Sequence, residues 1–148
     1  MTTARIRLVN LQRAHPIPRR RVAATAVRIL KRFRIQRGEF SITFVGAQRM
    51  QRLNHRYHHR DRLTDVLAFD LRLPAQRRGR VMVGEVIIAP AVAAREAAHY
   101  GQRYAEELLT YVAHGMLHLL GYRDGTPRER RRMEQLQNIF VRTQTDSR

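Results

Sequence analysis

The chain has 148 residues, a formal net charge of +17 and no cysteine. A length of about 150 residues favours one domain, and an apolar share of 43% is enough for a buried core, which excludes wholesale disorder. The absence of cysteine excludes disulfides, zinc ribbons and thiol catalysis, and it fits the cytosol. We predict no signal peptide, because the N-terminal segment has no apolar h-region. We also predict no membrane span, because the longest apolar stretch is interrupted by polar residues and shorter than the ~20 residues that a span needs.

The positive charge comes almost entirely from arginine, since Lys31 is the only lysine. Arginine binds phosphate through paired hydrogen bonds and releases counterions from nucleic acids, so the composition favours a nucleic-acid partner. The alternative is a charged, solvated surface without a specific partner. Three arginine runs are candidates for contact with an RNA backbone: Arg19–Arg21, Arg77–Arg80 and Arg130–Arg132.

Alternating and periodic apolar residues predict four strands and five helices. A turn-like segment between the third and fourth strands predicts that they form a hairpin. The whole chain, 1–148, is therefore predicted to be one α/β (α+β) domain, a small mixed sheet packed with about five helices. In chain order the predicted elements are a strand over Arg5–Leu11, a helix from Arg19 that ends before Gly38, a strand over Phe40–Phe44, a helix over Ala47–Tyr57, strands over Asp65–Leu73 and Val81–Ala89, helices over Ala91–Tyr100 and Tyr104–Leu120, and a helix from Pro127 onward.

The ends of the last two helices are specified by individual residues. Gly121 stands where a left-handed C-terminal cap would end the first of them. Thr126 can cap the next helix, Pro127 suits its first position, and Glu129 completes a capping box. The chain is thus predicted to turn back sharply between the two helices.

This turn follows a pair of histidines that suggests a metal site. His114 and His118 are four residues apart, so their rings lie on the same face of the predicted helix. Asp124 follows the helix end and can return to that face. Two imidazoles and one further residue are typical of catalytic zinc, which leaves a fourth position for water. The alternative is a pair of hydrogen-bonded core histidines, but burying both rings without partners would cost ~1–3 kcal/mol each.

The same spacing occurs in zinc peptidases, whose H-E-x-x-H pattern includes a glutamate that acts as general base. In this chain the glutamate position is occupied by Gly115. The spacing therefore agrees with a peptidase, but the peptidase base is missing.

The motif HGMLHLLGY, His114 to Tyr122, resembles the signature H-G-x-L-H-L-x-G-Y-D-H of the YbeY family of bacterial endoribonucleases. Two upstream segments are similar to other parts of that family: LNHRYHHRDRLTDVLAFDL, Leu53 to Leu71, and GEVIIAP, Gly84 to Pro90. The resemblance implies an α/β fold with a metal at the mouth of a cleft. It also implies a zinc-dependent endoribonuclease that acts on single-stranded RNA, in maturation of the 16S rRNA 3′ end and in ribosome quality control.

Carried over residue by residue, the resemblance implies one Zn²⁺ per chain, held by His114, His118 and Asp124. Asp124 replaces the family's third histidine, which is chemically acceptable because carboxylates also bind zinc. His58 replaces an arginine that the resemblance implies engages substrate phosphate, and we assign His58 a catalytic role on that basis. Glu85 replaces an aspartate. We further predict that Arg60, Arg78 and Arg80 contact RNA.

Three functions compete at this stage. The first is a metal-dependent endoribonuclease of the cytoplasm, acting on ribosomal RNA and the small ribosomal subunit, with either a metal-activated water or an RNA 2′-hydroxyl as nucleophile. The second is a zinc peptidase, which would not require a charge of +17. The third is a ribosome-assembly factor that binds RNA without cleaving it.

Overall fold

The computed structural model describes residues 4–58 and 66–146. In it a four-stranded mixed sheet packs with five helices, which confirms the predicted fold class. The strands are β1 (Arg5–Asn10), β2 (Arg37–Phe44), β3 (Val66–Asp70) and β4 (Val81–Ile88), and the helices are α1 (Arg19–Arg32), α2 (Ala47–His58), α3 (Pro90–His99), α4 (Tyr104–Leu119) and α5 (Pro127–Asp146).

The strands lie in the order β1-β2-β4-β3. The first three of these run parallel, and β3 pairs with β4 in antiparallel fashion, as the hairpin prediction required. The segment between them contains a short 3₁₀ helix, Pro74–Arg78. β1 and β3 are consequently the two edges of the sheet.

β2 begins earlier than the predicted strand over Phe40–Phe44, because its pairing with β4 extends back to Arg37 and Val81. Gly38 makes this extension possible. Its φ is +129°, and a Cβ at this position would lie 1.9 Å from the carbonyl oxygen of Met82. Only glycine tolerates both the dihedral angle and the close backbone approach. The extension depends on a neighbouring strand, so the local alternation of apolar residues did not reveal it.

α4 lies at the centre of the molecule, against β3 and β4 and between α1, α3 and α5. Most of its side chains are buried, in agreement with its nearly continuous apolar sequence. Gly115 sits directly on the sheet, since a Cβ there would lie 2.4 Å from Val86 Cγ1 and 3.0 Å from Val66 Cγ1. The missing side chain lets α4 approach the sheet closely.

The opposite face of the sheet is partly uncovered. Side chains alternate along a strand, so Val86 faces α4 while Glu85 points to the other side. A groove of about 780 Å³ crosses that side, and its lining includes Arg5, Arg7, Ser41 and Glu85. In the parts of the chain that are described, no helix combines the length and apolar character needed to cross a membrane.

Candidate metal centre

His114 and His118 lie one turn apart in the last two turns of α4 and form a pair of touching rings. Their ring centroids are 4.5 Å apart at an interplanar angle of 75°. The Nε2 atoms of the two rings approach each other to 3.0 Å. Because α4 is anchored in the core along most of its length, the backbone positions of both histidines are fixed by packing.

Asp124 is brought to this pair by the turn that follows α4. Gly121 adopts a φ of +99°, the left-handed conformation predicted from the sequence. The amide of Gly121 donates to the His118 carbonyl at 3.0 Å, and that of Tyr122 to the Leu117 carbonyl at 3.0 Å. These bonds satisfy the last carbonyls of the helix and reverse the chain.

The beginning of α5 fixes the other side of the turn. The Glu129 amide donates to Thr126 Oγ1 at 3.1 Å, and the Thr126 amide donates to Glu129 Oε1 at 3.0 Å. This is the predicted capping box, with both of its hydrogen bonds present. Asp124 is therefore held between two ordered helix ends.

The three side chains converge on one point. Asp124 Oδ2 lies 3.2 Å from His114 Nε2 and 3.4 Å from His118 Nε2. Around a tetrahedral zinc ion with ligand bonds of 2.0–2.1 Å, neighbouring ligand atoms are separated by roughly 3.3 Å. The three donor atoms thus match one face of such a tetrahedron, and the residues fit a zinc ion or a similar divalent cation.

Solvent can reach this cluster. The side chains of His114, His118 and Asp124 are 24%, 29% and 42% exposed. A cation on this triangle would therefore keep an open side, as a catalytic site requires and a closed structural zinc site does not.

A fourth residue supports the cluster from α5. Gln137 is buried, and its Oε1 lies 2.7 Å from His114 Nδ1. Sequence reasoning missed this contact. The sequence nevertheless contains an indication of it. Gln137 follows Met133 by four residues and so falls on the apolar face of α5, where a buried polar side chain needs a hydrogen-bond partner.

Arg72 contacts the C-terminal end of α4, and the sequence did not predict this contact either. Its guanidinium pairs with Asp70 through Nε to Oδ1 at 2.9 Å and Nη2 to Oδ2 at 2.6 Å. Nη2 also donates to the Leu119 carbonyl at 3.2 Å. The hydrogen bonds from Arg72 are the main cause that holds the pKa of Asp70 below its ordinary value.

Comparison with known proteins identifies the family. A sequence model of the family described as Endoribonuclease YbeY matches residues 7–144. The chain belongs to the YbeY family. A relative named Endoribonuclease YbeY from Geobacter metallireducens is 34% identical over 146 residues, which is 93% of this chain and 94% of the relative. Another with the same name, from Elusimicrobium minutum, is 34% identical over 105 residues, which is 71% of this chain and 73% of the relative.

The fold is also found in a solved structure. The solution structure of a Thermotoga maritima protein superposes with a TM-score of 0.65 at 24% identity and covers 94% of this chain and 88% of that one. At this level of identity the likeness supports the fold alone. The YbeY relatives are named as endoribonucleases, and endoribonucleases are hydrolases.

The remaining residues assigned from the resemblance lie apart from the cluster or outside the described residues. His58 ends α2, and its side chain is outside the described part of the chain, as is Arg60. Arg78 and Arg80 are exposed just before β4, beside the groove. Their assigned roles, and the position of the metal at a cleft mouth, stay predictions.

Glu85 faces the groove on the far side of the sheet from α4. Its Oε2 accepts a hydrogen bond from Ser41 Oγ at 3.1 Å. The groove lining includes neither histidine of the cluster nor Asp124. The replacement of the family's aspartate by Glu85 therefore affects the open sheet face rather than the candidate metal centre.

Proposed function

We propose that this chain is a zinc-dependent endoribonuclease that cleaves single-stranded RNA, with one Zn²⁺ held by His114, His118 and Asp124. Its substrate would be ribosomal RNA in the small subunit, in maturation of the 16S rRNA 3′ end and in ribosome quality control. Since ribosomes are assembled in the cytoplasm, the proposal places the protein there. The observation that carries it is the triangle of donor atoms at 3.0, 3.2 and 3.4 Å.

The residues of the cluster have separate tasks. His114 Nε2, His118 Nε2 and Asp124 Oδ2 would bind the cation. When bound, zinc would supply Lewis acidity toward the phosphodiester and the leaving oxygen. The Asp124 carboxylate would moderate that acidity, since it brings a negative charge that a histidine ligand does not.

The charge of the chain supports an RNA substrate. With a net charge of +17, the surface attracts phosphate at distances of about a Debye length, ~8 Å at physiological salt. Arg78 and Arg80 are exposed and can each form paired hydrogen bonds with phosphate oxygens. These contacts would position an RNA strand without recognising its bases.

The peptidase alternative is opposed by the packing of α4. A peptidase of the H-E-x-x-H type would need a glutamate in place of Gly115. A Cβ at this position would already lie 2.4 Å from Val86 Cγ1 and 3.0 Å from Val66 Cγ1, closer than ordinary contact. Any side chain here would enter the core instead of the cluster. The alternative therefore lacks both the base and the space for it.

The proposal is tested by RNA cleavage with purified protein. We expect slow cleavage of single-stranded RNA that a chelator stops and added zinc restores, and one zinc ion per chain by elemental analysis of protein purified without a metal-binding tag. His118→Ala should abolish both cleavage and zinc binding. His99→Ala is the matched control, because His99 is exposed on α3 and joins no ligand cluster among the residues that the structure describes.

Two outcomes would contradict the proposal. Cleavage that persists in His118→Ala would come from a contaminating ribonuclease. Wild-type protein that binds zinc and RNA but leaves single-stranded RNA and ribosomal subunits intact would instead be an assembly factor that binds RNA without cleaving it. Comparing RNA binding by wild type and His118→Ala separates loss of chemistry from loss of substrate.

A further inference from the structure

Gln137 is a buried polar residue on an otherwise apolar face of α5. It is only 9% exposed and is flanked by the buried side chains of Met133, Leu136 and Phe140. A buried amide is costly unless its polar atoms are hydrogen-bonded. Gln137 Oε1 lies 2.7 Å from His114 Nδ1. This contact joins α5 to α4 through two residues that are 23 positions apart in the sequence.

The chemistry of this contact determines the state of the histidine ring. With the amide oxygen at this position, the contact is a hydrogen bond when Nδ1 carries the hydrogen and donates it to Gln137 Oε1, because a carbonyl oxygen can only accept. In a neutral imidazole the other nitrogen, Nε2, then carries the lone pair. This Nε2 faces His118 Nε2 at 3.0 Å and Asp124 Oδ2 at 3.2 Å.

The opposite tautomer would be unsuited to a cation. If Nε2 carried the hydrogen, it would point at the centre of the donor triangle, and no lone pair of His114 would be available there. Histidine ligands in metal sites commonly donate their remote N–H to an acceptor, which fixes both the tautomer and the ring orientation. Gln137 is placed to do this for His114.

We propose that Gln137 is a positioning residue that selects the Nδ1–H tautomer of His114 and so prepares Nε2 to bind a cation. The inference rests on the proposed metal site. It also gives a reason for an amide at this position. Asp124 already contributes one negative charge to the cluster, and a neutral acceptor orients the ring without adding a second.

The test compares two substitutions at this site. Gln137→Met keeps the length of the side chain but removes the acceptor, and we expect zinc affinity to fall about 10- to 100-fold. Gln137→Glu restores an acceptor and should bind zinc at least as tightly as wild type. Gln135→Met, at an exposed position on the same helix, is the matched control and should leave the affinity unchanged. Affinity is measured by competition with a chromophoric chelator.

A second measurement uses the zinc-free protein. Nitrogen-15 chemical shifts of the His114 ring, recorded where the ring is neutral, distinguish the two tautomers. We expect Nδ1–H in wild type and Gln137→Glu, and a mixture of tautomers in Gln137→Met. The wild-type measurement remains decisive if Gln137→Met does not fold.

The outcomes separate this inference from the proposed function. If wild type and all variants fail to bind zinc, the metal site itself is wrong. If wild type binds zinc, but Gln137→Met binds it equally tightly or wild-type His114 is protonated on Nε2, only the positioning role of Gln137 is wrong.

Discussion

The two faces of the sheet carry two kinds of polar surface. On the α4 side, three donor atoms converge to within 3.4 Å of one another, on backbone fixed by a buried helix and a capped turn. On the other side, a groove of about 780 Å³ is lined by both arginines and glutamates. Metal ligation acts over about 2 Å and needs fixed geometry, whereas attraction of phosphate acts over several ångströms and tolerates movement.

This difference predicts how each face responds to substitution. Removing one donor from the cluster should cause a large loss, because the remaining atoms cannot replace it. Removing one arginine from the charged surface should cause a small loss, because neighbouring charges still attract the strand. Graded substitutions on the two faces can therefore test the comparison.

The largest effect is expected at Asp124. Asp124→Ala removes the third donor atom, and we expect zinc affinity to fall by at least 100-fold. Loss of a residue that only supports a ligand typically lowers metal affinity about 10- to 100-fold, and loss of a ligand itself should cost more. Asp124→His should retain binding, because imidazole is also a zinc ligand, and should make the bound cation a stronger Lewis acid.

Zinc competition and RNA cleavage on the same preparations check the Asp124 prediction. Asp124→His should cleave RNA at least as fast as wild type. If Asp124→Ala binds zinc as tightly as wild type, Asp124 is not the third ligand, and the ligand must be sought elsewhere.

The next effect is on stability, at Gly115. Gly115→Ala would gain up to about 1 kcal/mol in helix propensity, but its Cβ would lie 2.4 Å from Val86 Cγ1. Overpacking typically costs ~1–3 kcal/mol, so we expect a net loss in the free energy of unfolding. Chemical denaturation measures it.

Gly46→Ala is the control for this substitution. A Cβ on Gly46 would meet no atom within 4 Å, and its φ is not positive. Its stability should stay close to that of wild type. A Gly115→Ala variant as stable as wild type would mean that α4 can move away from the sheet, and the histidines would then be less rigidly held than we infer.

The fold and the candidate site could be predicted from the sequence where they depend on residues that are close together in the chain. The helix that carries His114 and His118, the Gly121 cap and the Thr126–Glu129 capping box depend on residues close in sequence, and these predictions are confirmed. The contact of Gln137 with His114 and that of Arg72 with Leu119 join residues 23 and 47 positions apart. No local pattern specifies such pairs. The early start of β2 was missed for the same reason.

A smaller effect is expected from the exposed arginines beside the groove. Replacing both Arg78 and Arg80 by alanine should weaken binding of single-stranded RNA and reduce the slope of log affinity against log salt by about 1.4, since each neutralised phosphate contributes about 0.7. Filter binding over a series of salt concentrations measures this slope.

The matched control removes the same charge elsewhere. Arg95 and Arg103 are exposed on α3 and just before α4, outside the three arginine runs. Replacing this pair should change the slope less. Equal effects of the two double variants would indicate that RNA responds only to net charge, and the assigned contacts of Arg78 and Arg80 would be wrong.

The smallest effect concerns the ion pair of Asp70 and Arg72, whose guanidinium contacts the last residue of α4. The folded protein lowers the pKa of Asp70 below its ordinary value, chiefly through hydrogen bonds from Arg72. A carboxyl group with a lowered pKa stabilises the fold above its unfolded pKa, and this stabilisation is lost as the pH falls through the lower, folded value. The side chain of Arg72 is 17% exposed and that of Asp70 is 27% exposed, so solvent screening limits the contribution to about 1 kcal/mol.

Asp70→Asn should therefore be less stable than wild type by about 1 kcal/mol at neutral pH. The difference should begin to shrink below pH ~4, where Asp70 of the unfolded wild-type chain takes up a proton, and should be lost once the pH has fallen through the lower pKa of the folded protein. Chemical denaturation at neutral and acidic pH measures this difference. Glu96→Gln is the control and should change the stability less, because the ion pair of Glu96 with Arg95 is longer, at 3.7 Å, and more exposed. If Asp70→Asn is less stable than wild type by the same amount at neutral and acidic pH, the loss comes from packing and not from the charge of Asp70. The contact of Arg72 with the Leu119 carbonyl would then not depend on the ion pair with Asp70.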